Sequence, residues 1–573
     1  MKFGRRFRQL RVLARTGPLN AICSGEISAI RDCMRGGTPG ILVLHTEVFF
    51  KGQLRIKLEK RPLPMCVRPG NPWEESRLAR NLHKNLYLFL TVQNQRYLGM
   101  VRWAFDGEKT REGGDQAMQS LDGQSASAEK LNTHQKALAI NLDPASYGSF
   151  AEIGAGQEVA RWFLVVGGAS GTVAKSISAY DKEISDDLYG SGARYVSKER
   201  LNAMLDSEWA QLINQLKESR GSNTRFFSFV DTISARNYAG TNEPHGWVGL
   251  RFQLFPGGQP NDVILHINLR DPSNHLQQES IGILGVNLIY AVLYQLQTKE
   301  SFFENVAQDI EKRVEIDCAE LRGPAFEAWD QRAILVRLIH TGLAEAVYFP
   351  PGGLAAPPIE VLHKKAVVLA PGSFEHVDPT HAAIHERMLA AAIQKLRGES
   401  DEKIPAPLGL FCLSAMPLGT GDPRPDVPEL LRRVDALRAR GGAVLLFRER
   451  ELYSMTALLN RYTAEHVRFV VGLSLLVRVF EYRYNQLAGS LLEGLSRLLA
   501  QNVRIYAYPM PSIDLRQSIE SLSATSWKWT DTNGWVSANQ LRLAPPLGHL
   551  YDYVLASKFL VPMEIPEVLA ADA

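Results

Sequence analysis

The chain has 573 residues, 45% hydrophobic and 22% charged, which is the balance of folded globular domains and excludes a disordered, collagen-like or coiled-coil chain. Five cysteines in that length exclude a secreted scaffold held together by disulfides. Lys and Arg total 64 against 61 acidic residues, but the charge is uneven: residues 1–117 hold 21 basic and 10 acidic side chains, and the remainder is mildly acidic. A mildly acidic body is a poor match for nucleic acid, whose phosphates demand clustered positive charge. No apolar run reaches the roughly 18 residues of a membrane span. The nearest, Ile281 to Leu293, is short and is interrupted by Asn287. The expectation is a cytoplasmic protein with no membrane and no nucleic-acid partner.

Residues 1–135 read as a basic extension and linker. The start carries Arg5, Arg6, Arg8, Arg11 and Arg15, with no acid before Glu26, a composition that resembles an organelle transit peptide. The leading expectation is an over-long gene start with Met118 as the first residue; a basic arm or small accessory domain is the alternative. Leu42 to Phe50 and Leu86 to Val92 are strand candidates. Cys23, Cys33 and Cys66 lack metal-ligand spacing, and Gly107 to Thr133 reads as a linker.

Residues 136–360 read as a mixed α+β domain. A helix is predicted over Phe150 to Val166, ending at Gly167-Gly168, and a second over Glu199 to Lys217 with Leu201, Met204, Leu205 and Leu212 on its apolar face. Val165 to Gly171 superficially resembles a phosphate loop, but Ala169 and Ala174 stand where GxxxxGK[ST] needs glycine, so a helix stop and turn is the better reading. Strands are predicted over Arg225 to Ser234, Trp247 to Phe255 and Val263 to Arg270, the last two as a hairpin. The helix His275 to Gln297 is apolar nearly all round and should be central, with Gly282 and Gly285 permitting close packing. That apolar helix also admits a homo-oligomer. Alternation places Arg251 with Gln253 on one strand face, and His266, Asn268 and Arg270 on the next. A solvated sheet face is the simpler expectation; anion binding by Arg251, His266 and Arg270 is the alternative.

Residues 361–573 carry the clearest pattern, an α/β domain of Rossmann-like type with an irregular tail. Strands are predicted over Ala366 to Ala370, Leu408 to Ser414, Ala443 to Phe447, Val467 to Leu473 and Val503 to Tyr508. The intervening helices are Pro379 to Leu396, Val427 to Arg440, Glu451 to Tyr462 and Leu475 to Leu499. Short strands alternating with helices imply a parallel sheet, which binds ligands at its carboxyl edge. At the first such edge Gly372 permits close backbone approach, Asp378 and Pro379 open a helix, and free helix N–H groups suit phosphate. His381 and His385 lie one turn apart on one face and are the candidate catalytic groups, stabilising phosphate oxygens during transfer.

The order strand, Gly372-Ser373-Phe374, loop, Thr380-His381, helix resembles the first motif of nicotinate/nicotinamide mononucleotide adenylyltransferases, GSFxP followed by [HT]xGH. Here positions 382 and 383 are both alanine, the loop is longer, and no ISSTxxR-like second motif follows. The resemblance implies that Gly372, Ser373, Phe374 and Thr380 bind a nucleotide, with Lys365 just ahead of the strand counted among them, and that Mg²⁺ accompanies ATP; no prosthetic group is implied. Over about 138–510, the runs Phe150 to Arg161 and Gly285 to Tyr290 resemble a family of bacterial cytosolic proteins whose members carry the labels nicotinate-nucleotide adenylyltransferase or TonB-dependent receptor. The alternatives are a non-catalytic nucleotide-binding protein and a scaffold or assembly protein. Less favoured is a metal-dependent hydrolase built on His376, Asp378, His381, His385 and Glu386, because Ala382 stands where HExxH needs glutamate. There is no GxSxG elbow, and Cys318 and Cys412 sit in apolar strands as expected of inert core thiols.

Overall fold

Turn-bounded runs of alternating or continuous apolar residues are drawn into three main sheets. The computed structural model describes residues 40–49, 53–62, 85–92, 95–102, 130–374, 379–399, 406–416, 426–481, 486–522, 524 and 526–564, with side chains from 130 onward except at 379–383. The chain divides into two units, residues 1–128 and 129–573. In the first, β1 (Gly40–Phe49), β2 (Gln53–Pro62), β3 (Asn85–Val92) and β4 (Gln95–Arg102) form a sheet in the order β2-β1-β3-β4. Two antiparallel hairpins are joined by parallel pairing of β1 with β3. The two expected strands are β1 and β3. The period-2 run Leu54, Ile56, Leu58 in β2 was also a readable strand signal. The Arg-rich start, Cys23, Cys33, Cys66 and the linker up to residue 129 lie outside the described residues.

The second unit begins with α1 (Thr133–Asn141), held by a reciprocal capping box between Asn132 and Gln135. A six-stranded sheet follows: β5 (Ser146–Ile153), β6 (Val173–Ile177), β7 (Arg225–Ser234), β8 (His245–Gln253), β9 (Pro260–Leu269) and β10 (Val314–Arg322). Its order is β10-β9-β8-β7-β5-β6. β5 runs parallel to both β6 and β7, and the rest is antiparallel. One face packs α1, α2 (Glu158–Val166) and α5 (Asn274–Tyr294). The other packs α4 (Lys198–Arg220), whose Leu201, Met204 and Leu205 meet Ala151, Val230 and Trp247. Between β6 and α4 lies α3 (Lys182–Tyr189), N-capped by Asp181. α6 (Gln331–His340) follows β10.

The helix expected over 150–166 is instead a strand, a glycine turn and a helix. Phe150 and Ala151 are buried on opposite sheet faces. Gly154 and Gly156 both take positive φ, and a Cβ on Gly154 would lie 1.9 Å from the Ile233 carbonyl oxygen. The apolar positions of a fully buried strand and of the helix after it merge into one run with helical spacing, which hides the turn. The stop at the other end holds: α2 ends at Gly167, φ +86, followed by Gly168, φ +78.

Among the described residues α5 is the one helix long and apolar enough to cross a bilayer, and it is mostly buried inside this unit. Its polar interruption is satisfied internally. Asn287 accepts from the Lys136 ammonium at 2.7 Å and donates to the Val306 and Gln308 carbonyls. Burial pushes the Lys136 amine down to about 8.

The C-terminal sheet takes in β11 (Ala346–Phe349), β12 (Val367–Pro371), β13 (Leu408–Ser414), β14 (Val444–Phe447), β15 (Val467–Gly472) and β16 (Val503–Tyr508), with Leu560–Pro562 at one edge. Its order is β11-β14-β13-β12-β15-β16 and then Leu560–Pro562, all parallel except β11. Numbered from β12, that is 3-2-1-4-5-6, a doubly wound α/β sheet. The hand-over from the middle domain therefore comes at Ala346, ahead of the expected 360. The helices are α7 (Pro358–Leu362), α8 (Pro379–Gly398), α9 (Val427–Ala439), α10 (Leu452–Tyr462), α11 (Leu473–Glu481) and α12 (Ser490–Leu498), followed after β16 by α13 (Ser512–Ser521) and α14 (Leu547–Ala556). The single helix expected over 475–499 is thus two.

Close packing at Gly285 is measurable. A Cβ there would lie 2.4 Å from a Val159 methyl and 3.0 Å from the Phe229 ring. Gly285→Val should cost about 1–3 kcal/mol through overpacking, read as a lowered urea midpoint.

Candidate functional site

In a doubly wound sheet the chain leaves adjacent central strands toward opposite faces, opening a crevice at their carboxyl ends. Here those strands are β12 and β15. α8 after β12 packs into one core layer, and α11 after β15 into the other. The crevice is bounded by Gly372-Ser373-Phe374 on one side and Gly472-Leu473-Ser474 on the other.

Phe374 decides what the first turn offers. It adopts φ +48 and is buried. Its ring meets Phe411 edge-on at 5.6 Å and His385 at 5.0 Å between centroids. A Cβ on Gly372 would be 2.9 Å from the Phe374 ring. The bareness of Gly372 therefore accommodates Phe374, and the expected approach of a phosphate to that glycine is replaced by an aromatic ring. The Ser373 carbonyl accepts from Arg433 at 3.0 Å. His385 faces Tyr508 with ring centroids 6.4 Å apart, and burial pushes the Tyr508 phenol up to about 12. At the end of β15, a Cβ on Gly472 would lie 3.1 Å from the Tyr508 hydroxyl. Beside it the Ser474 and Ser518 hydroxyls are hydrogen-bonded at 2.7 Å. Phe374, His385 and Tyr508 are thus brought together around the crevice.

The other expected residues fall differently. Thr380 and His381 lie in the first turn of α8, but their side chains, and all of Glu375 to Asp378 including His376, are outside the described residues. Lys365 does not join the crevice. It is exposed ahead of β12, at the opposite end of that strand from Gly372, roughly 20 Å away at about 3.3 Å per residue. Glu386 is ion-paired with Arg440 at 2.5 Å. Among the described residues no group of three His, Cys, Asp or Glu is arranged to hold a metal. Cys318 and Cys412 are buried, and burial raises both thiols.

The three residues expected to share an anion are separated and already neutralised. Arg251 forks onto Asp262 at 2.7 and 2.9 Å and reaches Asp206 at 2.7 Å. His266 is fully buried against Asp317 at 2.6 Å. Arg270 pairs with Glu315. The face is not solvated: α4 covers part of it, and the Trp247 indole donates to Glu360 of α7 at 2.9 Å. Buried charge must find a partner, so the arginines are spent on structure.

One acidic pair escaped sequence reading. Glu152 and Asp231 are register neighbours on β5 and β7. Glu152 accepts from the Val159 and Ala160 amides at the start of α2, both at 2.9 Å. Asp231 accepts from the Ile153 amide at 3.0 Å, and its other oxygen is buried without a partner among the described residues. Desolvation pushes the Glu152 carboxyl up to about 7, and desolvation with Glu152 alongside raises Asp231 well above the usual range. An acid in the middle of an otherwise apolar strand run is the available signal, masked by the helical spacing of the apolar residues over 150–166.

No family model and no curated protein matches this chain. Among solved structures, the competence/damage inducible protein CihA from Agrobacterium tumefaciens is 20% identical over 29% of this chain and 98% of that one, with a TM-score of 0.22. A competence-damaged protein (CinA) superfamily member from Enterobacter cloacae is 15% identical over 29% and 96%, TM-score 0.22. The competence damage-inducible protein A (ComA) from Klebsiella pneumoniae is 13% identical over 29% and 99%, TM-score 0.21. A likeness at this level carries nothing about function.

The acidic pair has a pH consequence. Its folded-state affinity for protons exceeds that of unfolded carboxyls, so the native state holds protons that unfolding releases. Stability should therefore fall as pH rises from about 4.5 to about 7. Asp231→Asn leaves an acceptor for Ile153 and removes the like charge. It should recover roughly 1–3 kcal/mol of that fall, measured by urea denaturation at pH 5 and pH 7.5.

Proposed function

We propose that the C-terminal α/β domain binds a nucleotide-like small molecule at the carboxyl edge between β12 and β15. The observation that carries this reading is the 3-2-1-4-5-6 strand order, which opens a crevice there, walled by Phe374, His385 and Tyr508. Aromatic walls suit a planar base, and the Ser474–Ser518 hydroxyl pair supplies nearby polar groups. The finer proposal follows the sequence motif. A mononucleotide phosphate oxygen attacks the α-phosphorus of ATP and pyrophosphate leaves, with His381 and His385 as the candidate groups meeting the developing phosphate charge and Mg²⁺ accompanying ATP. A binding protein without turnover is the second reading, and the Phe374 ring over Gly372 is the observation that favours it.

Ligand linkage tests the binding. At 100 times Kd a ligand adds about 2.7 kcal/mol to the stability of its site, so millimolar ATP with Mg²⁺, or nicotinamide mononucleotide, should raise the melting temperature by several degrees. Tyr508→Ala and His385→Ala should abolish the shift while leaving the far-UV circular dichroism unchanged. No shift with either nucleotide would overturn the reading. Pyrophosphate release from ATP plus nicotinamide mononucleotide, lost in His381→Ala, separates transferase from binding protein.

A further inference from the structure

The strongest uncommitted chemistry in the molecule lies where the six-stranded sheet meets the C-terminal domain, away from the β12–β15 crevice. Three side chains form a chain there. Asp317, fully buried on β10, takes His266 Nδ1 on Oδ1 at 2.6 Å and the Asn268 amide on Oδ2 at 2.7 Å. His266 Nε2 meets His245 Nδ1 at 3.0 Å. The bonding fixes which nitrogens carry protons. A carboxylate only accepts, so His266 Nδ1 carries the hydrogen. Its Nε2 is then a lone pair, so His245 Nδ1 carries the next hydrogen. His245 Nε2 is left as a bare lone pair on a half-buried ring, with no hydrogen-bond partner among the described residues. Burial and the neighbouring His266 hold His245 down to about 4, keeping it neutral at physiological pH.

The neighbouring strand carries further polar atoms that want a partner. Asn268 is the register partner of His245. It is 1% exposed, yet its carbonyl oxygen has no donor among the described residues. Two residues on, Arg270 Nε is buried with no acceptor among the described residues, although the same guanidinium pairs with Glu315 through Nη2. Buried polar atoms are nearly always partnered by protein or by another molecule. Glu243, Glu315, Asp317, Glu345 and Glu360 outnumber Arg194, Arg270 and Arg461 around the chain, which disfavours an anion. What suits two acceptors and one donor is a pair of groups that each donate and accept, namely two hydroxyls of one molecule.

We propose that this junction is a second ligand site, one that takes a small polyhydroxylated molecule whose hydroxyl is met by His245 Nε2 backed by the His266–Asp317 pair. The ligand hydroxyl donates to His245 Nε2 and its O–H bond stays intact, because an imidazole held down to about 4 is too weak a base to take an alcohol's proton. Asp317 and His266 are positioning residues, since both act through His245.

Nitrogen-15 NMR of the full chain, labelled at histidine, reads the tautomer directly. His245 Nε2 should show the unprotonated imidazole shift at pH 7, and a protonated Nε2 would overturn the proposal. Diethyl pyrocarbonate, followed by mass spectrometry, should modify His245 within a few-fold of the rate at exposed His363. Asp317→Asn should slow His245 at least 10-fold relative to His363, because the new amide keeps its oxygen for Asn268 and offers its NH₂ to His266, reversing the chain of donors. An unchanged relative rate in a folded Asp317→Asn protein would overturn it; if that variant does not fold, the tautomer in the unaltered protein decides. Millimolar myo-inositol should shift the His245 Cε1–H resonance, and inorganic phosphate should not. No shift with either, or a shift with phosphate alone, would overturn the ligand class.

Discussion

Covering both faces of the six-stranded sheet drives the polar side chains on it toward partners inside the protein. A charge on a solvated face needs nothing; the same charge under a helix costs several kcal/mol unless it is paired. The α4 face of this sheet is buried partly by α4 and partly by the domain that follows. The pairings come from that constraint: Arg251 with Asp262 and Asp206, Arg270 with Glu315, Trp247 with Glu360, His266 with Asp317. They tie β8, β9 and β10 to one another, to α4 and, through Trp247, to α7, and both sheets belong to one unit.

The same logic runs through the opposite face. Glu152 sits under the start of α2, where its carboxyl takes two helix amides that would otherwise lack acceptors. The helix terminus that might have held a ligand anion is filled by the protein's own acid. Phe374 does the equivalent in the C-terminal domain, laying its ring over Gly372. In both places a glycine turn with the outward look of a ligand loop is occupied by a side chain from the same turn or strand. At the C-terminal crevice the functional reading rests on the aromatic wall of Phe374, His385 and Tyr508.

At the polar junction between the sheets several hydrogen bonds do not close. Asp317, His266 and His245 pass one donor outward along the chain until it ends in a nitrogen without a partner among the described residues, where Asn268 and Arg270 also each keep one buried atom unpartnered. A purely structural network gains stability by satisfying all of its members, since each unmet buried group costs about 1–3 kcal/mol. The arrangement gives up part of that stability here, as it does at the unpartnered Asp231 oxygen.

The sequence by itself determined the local elements of the C-terminal domain. Leu408–Ser414 and Val503–Tyr508 lie within the bounds their apolar runs indicate, and the helices between follow from spacing and caps, because short buried strands and amphipathic helices declare themselves through neighbouring residues. It also made α5 central, through its lack of a polar face. Only the tertiary structure decided that residues 150–166 are strand and helix, since a strand buried on both sides loses the alternation that would announce it. Only it revealed that Phe374 covers Gly372, that Lys365 stands at the wrong end of its strand, and that His266 faces Asp317, which lies 51 residues further along the chain. Those facts depend on which surfaces are covered and which distant strands are neighbours, and no local pattern encodes them.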